Sequence, residues 1–233
     1  MSHQFAVLHP VSPKPAKSDP FAWMVLRYYA PCSHGVGFHF SSFAENIFTP
    51  VIRKEIREAA VTNKGHYTVY LPAYDDKKII EFLSKFKTVQ WQVFSKHTRK
   101  SYSVDNCEIK PVSAGDFTKS FTSCEGILCG AGFETPAEAL FMGKKLLVIP
   151  MKHQYEQHCN AAGAARMGVP VLKKLKKKYI HQVENWLTNA PAIKVDYKDN
   201  TDSIIDKLLS MHTTAIDYSQ WPIQQASAMV KLV

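Results

Sequence analysis

The sequence has no apolar run near the roughly 18–20 residues that a membrane-spanning helix needs. Its first twenty residues, MSHQFAVLHPVSPKPAKSDP, lack the charged-then-apolar order of a secretory leader. Cysteine is scarce and odd in number: Cys32, Cys107, Cys124, Cys129 and Cys159 are scattered through apolar segments. That distribution argues against a disulfide framework and for a reducing cytoplasm. None shows the tight Cys-x-x-Cys spacing of a structural zinc site. The pairs His34 and His39, or His153 and His158, near Cys32 and Cys159, are therefore not read as ligands, and no metal is expected. Negative charge is short as well, with 20 Asp and Glu against 29 Lys and Arg, a net +9. Such an excess invites an anionic partner: a nucleic acid, a phosphorylated small molecule or an acidic membrane face. No helix-turn-helix, RRM or KH pattern supports the first. Internal repeats and low-complexity tracts are absent.

What is present is globular: 233 residues, 45% hydrophobic and 21% charged. That length holds one large domain or up to two ordinary ones, but not two full nucleotide-type α/β domains of about 150 residues each. A proline-rich lead-in through residue 20 reads as irregular. Residues 21–50 are aromatic-rich, with a short helix and a strand around Val36–Phe40, followed by a charged helix over Val51–Ala60. The turn Asn63-Lys64-Gly65 marks a boundary, dividing 1–63 from a domain over 64–215, with a tail helix in 216–233. After the turn, strands and helices alternate. Strands fall at His66–Leu71, Val89–Phe94, Cys107–Val112, Gly126–Cys129, Leu146–Ile149 and Val169–Leu172. Helices fall at Asp75–Lys87, from Ser113 onward, Pro136–Met142, Tyr155–Met167, Lys174–Asn189 and Asp202–Met211. This alternation implies an α/β fold, a Rossmann-like parallel sheet with helices on both faces.

The chemistry concentrates in Gly126–Asn160. A buried strand ends at Cys129, and the small-residue loop Gly130-Ala131-Gly132-Phe133-Glu134 leads to Thr135 as an N-cap, Pro136 at the first helical position and Glu138 three residues after the cap. Free backbone N–H groups and the positive end of the helix dipole would gather there, the usual place for a phosphate or diphosphate in an open α/β sheet. The next strand-loop-helix unit brings Gln154, Glu156, Gln157 and Asn160 to the same edge, side chains suited to sugar hydroxyls.

Gly132-Phe133-Glu134-Thr135-x-x-Glu138-Ala139, Gly143-Lys144, Leu147-Val148-Ile149-Pro150 and Glu156-Gln157-x-x-Asn160-Ala161 together resemble the donor half of GT-B glycosyltransferases. The likeness is to bacterial glycosyltransferase-like proteins related to the peptidoglycan GlcNAc-transferase and the UDP-glucuronosyltransferase superfamily, and it runs from about His66 to Gly168. It implies a nucleotide-sugar donor, UDP-linked, and transfer of a hexosyl or N-acetylhexosaminyl group to an unknown, conceivably lipid-linked, acceptor. It implies amides of Gly132, Phe133, Glu134 and Thr135 on the diphosphate, Glu138 on the ribose, and main-chain groups at Val112 and Ser113 on the base. Gln154, Glu156, Gln157 and Asn160 would contact the donor sugar, with no cofactor and no metal. Gly130 stands where plant members carry a diphosphate-binding histidine, and Glu134 where Asn or Ser is common.

Phe21–Glu55 resembles only the end of the family's first domain, so the catalytic base is not identifiable; the chain is expected to be a truncated piece of a longer enzyme, one subunit of a split transferase that needs a partner domain or subunit, or a chain whose lead-in pairs with another copy. A sugar-nucleotide epimerase-like protein and a non-catalytic binding subunit stand as alternatives. So do blander roles: Glu138 as a capping-box partner only, Glu156 and Gln157 as a solvated helix start, and His39 as a core or surface histidine rather than a cleft residue. The cluster Lys173, Lys174, Lys176, Lys177 and Lys178 reads as a solvated opening of the following helix, with contact to an anionic lipid surface as the sharper reading.

Overall fold

The structure, a computed structural model, describes residues 3–17, 19–29 and 35–215. The expected tail helix in 216–233, Cys32 and His34 lie outside the described residues. The lead-in is irregular except for helix α1 (His3–Leu8); the short helix and strand expected after it are α2 (Pro20–Tyr29) and β1 (Gly37–Phe38), and β1 pairs in parallel with a second short strand, β2 (Ile47–Phe48). α1 owes its place to tertiary packing: Ala6 and Val7 are fully buried. A Cβ on Gly37 would stand 2.6 Å from the Ala6 nitrogen, so only glycine lets the helix approach β1 this closely. The charged stretch expected as a full helix over Val51–Ala60 shrinks to one turn, α3 (Lys54–Arg57), anchored by the buried Ile56.

From Gly65, a left-handed turn residue, the alternation follows the pattern expected. The elements are β3 (His66–Tyr70), α4 (Asp76–Leu83), β4 (Gln90–Ser95), β5 (Tyr102–Val104), β6 (Cys107–Pro111) and α5 (Ala114–Ser123). Then come β7 (Gly126–Gly130), α6 (Glu134–Met142), β8 (Lys145–Ile149), α7 (Tyr155–Arg166) and α8 (Ile180–Asn189). The six-stranded sheet runs β5-β6-β4-β3-β7-β8, parallel except for the β5–β6 pair. Val169–Leu172 is not a strand; it makes a single bridge, Val171 to Val148. Of the lysine cluster, Lys173, Lys174 and Lys176 precede the helix, while Lys177 and Lys178 form a 3-10 turn that runs straight into α8; all five are exposed, and Leu172 and Leu175 are buried. Cations at a helix N-terminus oppose the dipole, which fits the later start.

Strand alternation splits the core into two layers. Ile127 and Cys129 of β7 with Leu146 and Val148 of β8 face α5, α6 and α7, joined by Phe40, Ile52 and Ile56 from the N-terminal segment. Leu128, Leu147 and Ile149 face the other way, toward α4 and α8, where Tyr67, Trp91 and Trp186 cluster. Residues to 199 form one compact unit. A second begins at Asn200 and holds α9 (Thr201–Ala215), whose Ile204 amide donates to Asn200. No helix among the described residues is long and apolar enough to cross a membrane.

Candidate functional site

In the order β6-β4-β3-β7-β8 the chain winds one way from β3 through β4 to β6, then reverses to β7 and β8. The crevice between the carboxyl ends of β3 and β7 is thus a topological switch point, where open α/β sheets bind ligands. A cavity of about 110 Å³ lies there, lined by the Tyr70–Tyr74 loop, Cys129, Gly130, Gly132, Thr135, Met151 and Gln157. A Cβ placed on Gly132 meets nothing within 4 Å, so the loop borders open space.

α6 starts two residues earlier than expected. Its N-cap is Phe133, with no side-chain capping bond, so the expected Thr135 cap does not form. The capping-box role of Glu138 falls with it, because that carboxylate is taken elsewhere. It is 2% exposed and bound bidentately by Arg53, with Nε to Oε1 at 2.6 Å and Nη2 to Oε2 at 2.8 Å. The hydrogen bonds to Glu138 hold the guanidinium still more firmly protonated. The first-turn amides of Glu134 and Thr135 are left without a side-chain cap. Glu134 itself points to solvent.

The residues expected on the sugar side divide. Gln157 lines the crevice, its Oε1 accepting from the Met151 amide at 3.0 Å and its Nε2 donating to Gln154 at 2.7 Å. Gln154 and Glu156 border a larger cavity of about 1080 Å³, whose other wall is Pro20, Phe21, Val25 and Leu26 at α2. Asn160 is 1% exposed; its Nδ2 donates to the Ala131 carbonyl at 3.2 Å, and its Oδ1 meets His3 Nε2 at 2.5 Å. Val112 and Ser113 sit at the carboxyl end of β6, on the same sheet edge. There the Val112 amide donates to Ser95 at 3.2 Å, and the Ser113 hydroxyl caps α5 and bonds Asp116 at 2.8 Å. His39 is a core residue. Burial, and then the charge of His3, push its pKa down to about 4, and a Cβ on Gly163 of α7 would come within 2.7 Å of its Nε2.

Two participants were missed in the sequence, Arg53 and His3. Pro50-Val51-Ile52-Arg53 stood out as a segment, but nothing local says that its arginine reaches Glu138, and nothing at all points to His3.

A mostly parallel six-stranded sheet with a crevice at its switch point defines a Rossmann-like α/β domain. The family model for glycosyl transferase family 1 matches residues 23–191, well over half the chain. The chain belongs to that family. Among solved structures it is similar to MurG of Acinetobacter baumannii, with 17% identity, a TM-score of 0.51, and 75% of this chain and 60% of that one covered. It is also similar to the spinosyn forosaminyltransferase SpnP, with 12% identity, a TM-score of 0.47, and 66% and 46% covered. The MurG likeness bears on the fold alone. The chain spans about half the length of these two proteins. No curated protein matches it.

Proposed function

We propose that this chain is the donor-binding part of a glycosyltransferase, holding a UDP-linked hexose or N-acetylhexosamine in the β3–β7 crevice for transfer to an acceptor. The observation that carries the proposal is the open space at Gly132 beside the uncapped start of α6. There the amides of Gly132, Phe133, Glu134 and Thr135 take the diphosphate, and the helix dipole with these amides carries the charge of the leaving group without a metal. Glu138 serves the ribose once entry of the nucleotide opens its buried pair with Arg53. Main-chain groups at Val112 and Ser113 serve the base. Gln154, Glu156, Gln157 and Asn160 serve the sugar. The larger cavity, with an apolar α2 wall facing Lys152, Gln154 and Glu156, suits an amphipathic acceptor, including a lipid-linked one met at a cytoplasmic membrane face. The catalytic base comes from a partner domain or subunit.

Titration calorimetry with UDP and UDP-GlcNAc tests this directly. Gly132→Val puts a side chain into empty space, so UDP affinity should fall about tenfold, or roughly 1.4 kcal/mol, with the melting temperature unchanged. Absence of binding by the unmodified chain at about 1 mM UDP, some −4 kcal/mol on the affinity scale, would refute the reading.

A further inference from the structure

Both ring nitrogens of His3 face oxygens. Nδ1 lies 2.6 Å from the Phe38 carbonyl and Nε2 lies 2.5 Å from Asn160 Oδ1. Neither oxygen can donate. The first is a backbone carbonyl, and the second is fixed as the amide oxygen because Asn160 Nδ2 donates to Ala131. A neutral imidazole carries one N–H and one lone pair, so one of the two contacts would set lone pair against lone pair. The imidazolium donates through both. The ring also lies flat over Phe133, with centroids 4.1 Å apart and an interplanar angle of 15°, an arrangement that favours a cation.

We infer that α1 is a built-in plug over the sugar side of the site, clasped there by His3 in its doubly protonated form. The inference rests on the donor-binding reading. Asn160 has both ends of its amide engaged and is buried, and Phe133 is covered by the His3 ring. A sugar that is to take the Asn160 Oδ1 must displace the His3 ring that α1 carries, whereas Gln157 lines the crevice and Gln154 and Glu156 border the larger cavity. The nucleotide side, at Gly132 and Thr135, stays open.

α1 packs against β1, α2 and α7. Around it, His39 follows β1, Lys14 follows α1, Asp19 precedes α2, and α7 carries Glu156, Cys159 and Arg166. His39 stays neutral until about pH 4, chiefly through burial, and the Cys159 thiol is pushed up by burial. Lys14 donates to the Val7 and His9 carbonyls of the α1 end. Lys14 and Arg166 act on His39, whose protonated form they disfavour.

Nitrogen-15 NMR of the whole chain at about pH 5.5, below the ordinary imidazole range, should show both His3 nitrogens protonated. His3→Ala should speed amide exchange at Ala131, Gly132 and Phe133. It should also tighten UDP-GlcNAc about tenfold, as expected if roughly one molecule in ten is unplugged in the parent chain, while leaving UDP affinity unchanged. A neutral His3 at that pH overturns the inference. So does unchanged exchange in His3→Ala, or UDP-GlcNAc binding that fails to tighten while UDP still binds. If neither nucleotide binds, the donor-binding reading falls, and the NMR and exchange measurements still decide the clasp.

Discussion

The two ends of the same sheet make opposite use of glycine. At the amino end of β7, a Cβ on Gly126 would stand 2.7 Å from the Lys145 carbonyl and 2.8 Å from the Tyr67 ring. At the carboxyl end, a Cβ on Gly132 would meet nothing. Polar groups show the same contrast. At the amino end Lys144, 4% exposed, donates to the Thr62 and Cys124 carbonyls, both at 2.6 Å. Lys145 joins Glu125 at 3.0 Å and the Leu187 carbonyl at 2.8 Å, and Tyr67 donates to Glu125 at 2.8 Å. At the carboxyl end the start of α6 has no side-chain cap. One end is closed by packing and hydrogen bonds; at the other the first turn of α6 lacks a side-chain cap and its loop borders open space.

Substitutions can break this contrast. The largest effect should come from Gly126→Ala, which forces a methyl against backbone and should cost about 3 kcal/mol, measured by urea unfolding. Lys144→Met should cost about 2 kcal/mol, because two buried carbonyls lose their donor, again with a shifted urea midpoint. Gly132→Ala should be neutral within about 0.5 kcal/mol or slightly stabilising, since the alanine meets no strain and restricts the unfolded chain. A large destabilisation in Gly132→Ala would erase the distinction between the ends.

Most of the sheet was legible because its strands are apolar runs set between amphipathic helices, and because Asp75 and Ser113 cap α4 and α5 as their side chains allow. β5 escaped notice: it is three residues long and exposed on every residue, so no burial pattern marks it. α1 escaped because its burial depends on Gly37, far along the chain. The glycine loop of the site was legible for the same local reasons as the strands. The start of α6 was misplaced by two residues because Thr135 and Glu138 fit a capping box, and the competitor for Glu138, Arg53, lies 85 positions earlier. His3 lies 157 positions from Asn160, beyond any periodicity.

The central position of β3 has a kinetic side. Tyr67 pairs with Trp91 on one flank and with Gly126 on the other, at more than twice the sequence separation. Closing the longer loop costs more chain entropy, so the β3–β7 ladder is the costliest of the parallel pairings to nucleate. The ladders β3–β4–β6 and β7–β8 need only nearer neighbours. The crevice is therefore a seam between two halves that can each begin to fold alone, and a ligand bridging it would tie together the contact that the chain makes last.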